Sequence, residues 1–227
     1  MIKVENIEVW GFEHAIRGMR NPMNSWSKSD SSKCYCVGED CGFCKCNYSS
    51  CAKYYIGDND LNLMKRLFNA GTEHRKYLRQ IFVSMDIVAP LYWWKEADTY
   101  KVGTVANSCS TMHKIAAKEF TVDDFSYEHL FSLGTLRMVI DDLNDNRAMY
   151  LSTKNKDYWW QMIQLLPSSY NQRRTITMNY ENVFSIIKQR SGHKLDEWNE
   201  FVKILKTLPY VMEIGGMNEK GESEDKE

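Results

Sequence analysis

A chain of 227 residues with 43% hydrophobic side chains has the apolar surface for one sizeable core, and a formal net charge of −1 gives no electrostatic reason for nucleic acid or an anionic membrane as its main partner. No stretch approaches the roughly 20 apolar residues of a spanning helix, and Glu5 falls where the apolar run of a signal peptide would begin. The chain is therefore expected in the cytoplasm, where thiols stay reduced.

Residues 2–10 alternate loosely and predict a strand, and Phe12 to Met19 predicts a helix that ends by Pro22. Residues 24–33, rich in Ser, Asn and Lys, read as loop. From Asn59 to Gly71, Leu61, Met64, Leu67 and Phe68 recur at helical spacing, with Asp58 or Asn59 as the cap and Gly71 as the stop. Ile81 to Ile87 alternates as a strand and leads through Pro90 into an aromatic helix containing Tyr92, Trp93 and Trp94. A small polar loop, Asn107-Ser108-Cys109-Ser110-Thr111, then precedes helix over 113–119.

Residues 126–151 predict further helix, with Leu130, Leu133, Met138 and Ile140 toward the core and Gly134 as an interruption. Asp157 to Leu166 is a helix stopped at Pro167, and 173–178 alternates as a strand. Tyr180 to Arg190 returns to helix, with Gly192 as its stop. Leu195 to Leu208 is amphipathic, with Trp198, Phe201, Ile204 and Leu205 on one face. The tail 215–227 is apolar-poor and expected to be disordered. The fold class is α/β (α+β), a mixed sheet with several helices, in one domain over 1–214.

Six cysteines, Cys34, Cys36, Cys41, Cys44, Cys46 and Cys51, repeat the pattern Cys-x-Cys-x4-Cys twice. Soft thiolates at this density in a reducing compartment predict zinc, held by a small structural knuckle inserted at 33–52. Disulfides would require an oxidising compartment.

Among the other side chains, Lys101 and Arg190 suit an anionic ligand, Lys as a point charge and Arg as a fork. Tyr92, Trp93, Trp94 and Tyr100 offer rings for stacking, although consecutive helical residues face different ways. Cys109 reads as a buried, inert thiol, because no general base accompanies it. Asp123-Asp124 and Asp141-Asp142 read as caps and solvated faces.

Two blocks carry a family resemblance. The run from the strand at 81 through Thr99-Tyr100-Lys101 and, after seven intervening residues, Cys109 aligns without a gap to a strand, Pro, helix and Arg-His-Arg-x7-Ser signature. Independently, Leu166-Pro167, then 11 residues, Asn179, then ten residues, Arg190 keeps a second set of spacings. Over 59–113 and 163–210 the chain thus resembles the flavin-dependent thymidylate synthases. That resemblance implies methylation of dUMP to dTMP with methylenetetrahydrofolate, FAD and NADPH, in a homotetramer. It implies flavin contacts at Gln80, Thr99, Tyr100, Lys101 and Asn179. It implies dUMP contacts at Lys101, Asn107, Ser108, Cys109, Ser110, Ser185 and Arg190, and assigns no protein nucleophile because the flavin carries the hydride.

The chain departs from the pattern at several charges. Thr99 and Tyr100 are neutral where the signature has Arg and His, and Ile163 stands where the family has a further Arg. Each replaced Arg removes a bidentate phosphate partner. Two other readings follow: a non-catalytic nucleotide-binding or regulatory relative, and an interaction protein working through the cysteine knuckle.

Overall fold

The computed structural model describes residues 2–34 and 53–217. Its strands and helices in chain order are β1 (Lys3–Trp10), α1 (Phe12–Arg20), β2 (Ser32–Lys33), β3 (Tyr54–Tyr55), α2 (Asp58–Asn69), β4 (Phe82–Pro90), α3 (Leu91–Ala97), β5 (Thr104–Ser108), α4 (Thr111–Lys114), α5 (Gly134–Thr153), α6 (Lys156–Leu165), β6 (Asn171–Asn179), α7 (Tyr180–Arg190), α8 (Asp196–Lys206) and α9 (Val211–Gly215). One four-stranded sheet has the order β1-β4-β6-β5. A two-stranded antiparallel ladder sets Ser32 opposite Tyr55 and Lys33 opposite Tyr54. Strands and several helices together make the α/β class that the alternating and helical patterns predict. The residues group into two compact units, Met1–Lys3 with Ile87–Thr99 and Ala106–Thr175, and Val4–Asp86 with Tyr100–Val105 and Ile176–Glu227.

In the second of these units the helices α7 and α8 each bury an apolar face. Trp198, Phe201 and Leu205 of α8 are fully buried, as are Val183 and Ile187 of α7. Phe12 meets the rings of Tyr180 and Tyr210 edge-on at 5.7 and 5.5 Å. The Tyr180 hydroxyl donates to the Pro209 carbonyl at 2.9 Å, and burial pushes its pKa well up.

The start of α2 is capped from outside its own sequence. Neither Asp58 nor Asn59 serves; the Asp30 carboxylate accepts the amides of Asn59 at 2.9 Å and Asp60 at 3.1 Å. Asp60 is itself a buried hub, accepting from Arg20 Nε at 2.5 Å, Ser29 Oγ at 2.7 Å, Ser31 Oγ at 2.6 Å and the Asp30 amide at 3.1 Å. Burial raises its pKa, but the hydrogen bonds from Ser29, Ser31 and Arg20 outweigh that and hold it below the ordinary carboxylate value.

In the first unit a core of Phe120, Phe125, Leu136, Ile140, Leu143 and Met162 forms under α5 and α6. The helix expected over 113–119 stops at Lys114. Side chains of α5 take the backbone groups it would need. Asn144 pairs with both the amide and the carbonyl of Phe120, at 2.8 and 2.9 Å, and Arg147 Nε donates to the Ala116 carbonyl at 3.1 Å. The helix expected from 126 begins only at Gly134. Phe125 bridges Tyr170, and the Ser126 amide bonds the Ser169 carbonyl at 2.8 Å, so the chain is extended there; it then turns, the Leu130 amide donating to the Tyr127 carbonyl at 2.9 Å. Leu130 and Met138, expected in the core, are exposed.

Candidate functional site

The predicted site residues fall into clusters, each lying within one unit. In the second unit, Arg190 Nε donates to the Tyr100 hydroxyl at 2.8 Å, Tyr100 donates to Gln189 Oε1 at 3.1 Å, and Gln189 Nε2 donates to Ser185 Oγ at 2.9 Å. Tyr100, Ser185 and Arg190 are thereby brought into one relay. The Arg190 guanidinium also stacks 4.5 Å above the buried Trp198 ring and 5.4 Å from that of Tyr100. Its Nη1 lies 3.2 Å from His193 Nε2. A planar cation between two rings, with one nitrogen pinned, keeps one orientation at little entropic cost. Lys101 follows Tyr100 in the chain and is exposed.

Asn179, expected at the flavin, is the N-cap of α7; its Oδ1 accepts the Asn182 amide at 3.0 Å. Asn182 Nδ2 donates to the Val102 carbonyl at 2.7 Å and to Thr104 Oγ1 at 2.9 Å. Gly103 turns here with φ +74°, and a Cβ on it would stand 2.4 Å from Asn179 Nδ2. These two amides therefore fix the turn that follows Lys101. Gln80 is exposed, its Oε1 close against Gly18.

In the first unit, Thr99 Oγ1 donates to the Glu96 carbonyl at 2.7 Å, at the end of α3. Asn107 and Ser108, read as loop, are the last two residues of β5. The Cys109 amide continues the pairing by donating to the Arg173 carbonyl at 2.9 Å, and Gln172 Nε2 donates to the Cys109 carbonyl at 3.0 Å. Ser110 caps α4, accepting the His113 amide at 3.2 Å. Contrary to the expected buried thiol, Cys109 is exposed and free. A strand edge, unlike a helix interior, leaves its side chain uncovered.

Cys109 and Ser110 line a cavity of about 480 Å³ together with Lys114, Lys118, Tyr170 and Arg173. Lys118 pairs with Asp124, and that hydrogen bond raises the lysine pKa. The cavity is thus lined by three basic side chains, Lys114, Lys118 and Arg173, and one carboxylate, Asp124. It suits a compact anion attached to a small polar body.

Lys114, Lys118 and Arg173 have no place among the residues expected from sequence. The adjacent pair Arg173-Arg174 in an alternating strand carries the signal, because neighbouring strand residues face opposite ways. Arg174 stacks 4.3 Å over Trp94 and bonds Asp98 at 2.7 Å, while Arg173 borders the cavity. Trp93 and Trp94 are buried, and Trp94 Nε1 donates to the Gln172 carbonyl, so these rings are core and not stacking platforms.

Cys34 is disulfide-bonded, so it is not the zinc thiolate expected there, since a bridged sulfur carries no thiolate charge. Cys36, Cys41, Cys44, Cys46 and Cys51 lie outside the described residues. Among the described residues no group of three or more His, Cys, Asp or Glu is disposed to hold a metal ion. Among them, too, no helix is long and apolar enough to cross a membrane.

No family description and no curated protein matches the chain by sequence. Solved structures do match. Thymidylate synthase X from Helicobacter pylori with FAD and dUMP superposes with a TM-score of 0.66 at 14% identity, over 94% of this chain and 96% of that one. A second flavin-dependent thymidylate synthase structure from that organism, complexed with FAD and dUMP, gives 0.64 at 15%, over 93% and 96%. A UMP/dUMP methylase, PolB from Streptomyces cacaoi bound with 5-Br UMP, gives 0.58 at 11%, over 91% and 87%. The chain has the fold of the flavin-dependent thymidylate synthases.

Proposed function

We propose that this chain, built on the thymidylate synthase X fold, binds a uridine-type nucleoside monophosphate, dUMP or UMP, at the cavity beside Cys109 and Ser110. The observation that carries the reading is that Lys114, Lys118 and Arg173 line that cavity beside a single carboxylate, Asp124, at the loop where the resemblance expects nucleotide. A phosphate monoester there gains charge-assisted hydrogen bonds, bidentate ones from the guanidinium. The Ser110 oxygen accepts the His113 amide, which orients the loop and leaves the hydroxyl hydrogen able to donate to the phosphate.

FAD is a poorer fit to the residues of one chain. Its pyrophosphate asks for paired cations, and among the five expected flavin positions Lys101 is the one cation. The Thr99 hydroxyl, the Tyr100 hydroxyl and the Asn179 amide oxygen are already bonded within the chain.

The test is calorimetric titration with dUMP and UMP, on the native protein and on K114A/R173A. The reading expects saturable binding that weakens by about tenfold or more in the double variant. No binding at about 1 mM nucleotide overturns it.

A second reading is favoured by the extent of the fold match, which covers 94% of the chain. In it the protein is a dUMP methylase using methylenetetrahydrofolate, FAD and NADPH, working as a cytoplasmic homotetramer whose neighbouring copies supply the missing cations. Yellow protein after incubation with FAD, together with dTMP formation, supports this reading. Colourless protein that binds dUMP without turnover supports the first.

A further inference from the structure

Another cavity lies wholly inside the unit that holds α1 and α2. Its volume is about 440 Å³. One wall is a single face of α2, Asn59, Asn62, Leu63 and Arg66, at the i, i+3, i+4, i+7 spacing that puts residues side by side. The other wall is the end of α1 and the turns after it, with Arg20 and Lys28.

We propose that this cavity is an anion site that takes a phosphate monoester. Arg20 is 4% exposed and held rigid: its Nε bonds Asp60 at 2.5 Å and its Nη1 bonds the Ser25 carbonyl at 3.2 Å. Its Nη2 makes no hydrogen bond among the described residues, although the residue lines the cavity. A rigidly held guanidinium with an unused donor, in a residue that lines a cavity, is a preformed half of a fork for an oxyanion. Asp60 neutralises Arg20, and neither Lys28 nor Arg66 forms an ion pair among the described residues, so the lining keeps two positive charges. The side-chain amides of Asn59 and Asn62 add donors, and Leu63 and Met23 give an apolar floor for the organic part of the ligand. A dianionic phosphate on a small organic body matches that charge and that mixture of surfaces. Two lysine or arginine heads around one hollow repel each other until such an anion enters.

The probe is phenyl phosphate, titrated calorimetrically into the full chain. The native protein is expected to bind it saturably. K28A/R66A, which changes two exposed side chains, is expected to lose about tenfold or more in affinity. N62D, which sets a carboxylate on the same wall, is expected to weaken it comparably while the melting temperature holds. K114A/R173A is expected to retain the binding, which separates this site from the nucleotide cavity. Absence of phenyl phosphate binding at about 1 mM, or binding that survives K28A/R66A and N62D, overturns the proposal.

Discussion

Arg190 donates its Nε–H to the hydroxyl of Tyr100 at 2.8 Å, joining the middle position of one spaced block to the last position of the other. The resemblance expects Lys101 and Arg190 to share an anion. In the structure the group Arg190 holds is the phenol beside that lysine, and Trp198 lies under its guanidinium. Tyr100→Phe removes the acceptor of that Nε–H and the donor to Gln189, and is expected to cost about 1–2 kcal/mol of stability. Arg190→Lys, which keeps charge but loses the fork and its stacking on Trp198, is expected to cost at least as much. Neither residue lines the Cys109 cavity, so dUMP affinity is expected to hold in both variants. Equal denaturant midpoints for native protein and Y100F would show that this relay contributes nothing to stability.

Asn179 tests cap against cofactor. Asn179→Ala removes the α7 cap and is expected to cost about 1 kcal/mol, whereas Asn179→Asp keeps an accepting oxygen and should fold nearly as well. Gly103→Ala is expected to destabilise more than Asn179→Asp, because φ +74° and the nearby amide leave no room for a methyl group. Denaturant midpoints of the three variants give the order. If Asn179→Asp unfolds as readily as Asn179→Ala, the cap does not govern this position.

Asp60→Ala leaves the buried Arg20 charge uncompensated and is expected to cost about 3–5 kcal/mol. The sign of the pH dependence follows from a folded pKa held below the ordinary value of 3.8. Its contribution is fully present above that value and is lost as pH falls through the folded pKa. Unfolding midpoints followed from about pH 6 to about pH 2 should therefore fall more steeply at the acid end for native protein than for Asp60→Asn. Parallel curves would show that this carboxylate contributes nothing to acid unfolding.

Asn144→Ala deletes two hydrogen bonds to the Phe120 backbone and is expected to cost about 2 kcal/mol, roughly 1 for each bond. The loss should appear as faster hydrogen exchange at Phe120, since that amide is then left to water. Unchanged exchange there would count against the clamp.

Much of the fold was readable along the chain. The helices α2, α7 and α8 repeat apolar residues every three to four positions, and β4 alternates, because each buries one face. The family resemblance also singled out Tyr100, Ser185 and Arg190, which the structure joins by hydrogen bonds. Readings failed where distant groups took over local backbone: Asp30 capping α2, Asn144 and Arg147 ending α4, and Tyr170 holding Phe125 extended. β5 was missed because five mostly exposed residues carry no alternating stripe; it is a strand because β6 lies beside it.

By itself, then, the amino-acid order determined which segments are amphipathic and where the chain turns, since periodicity and Gly or Pro punctuation act within a few residues. Only the tertiary structure decided which side chains carry charge into a cavity. Arg173 faces one and its neighbour Arg174 stacks on Trp94; Lys118 is offset by Asp124; Arg20 is locked to Asp60. Those outcomes depend on partners tens of residues away in most cases, and a Coulomb or hydrogen-bond energy is set by distance in space, on which sequence separation is silent.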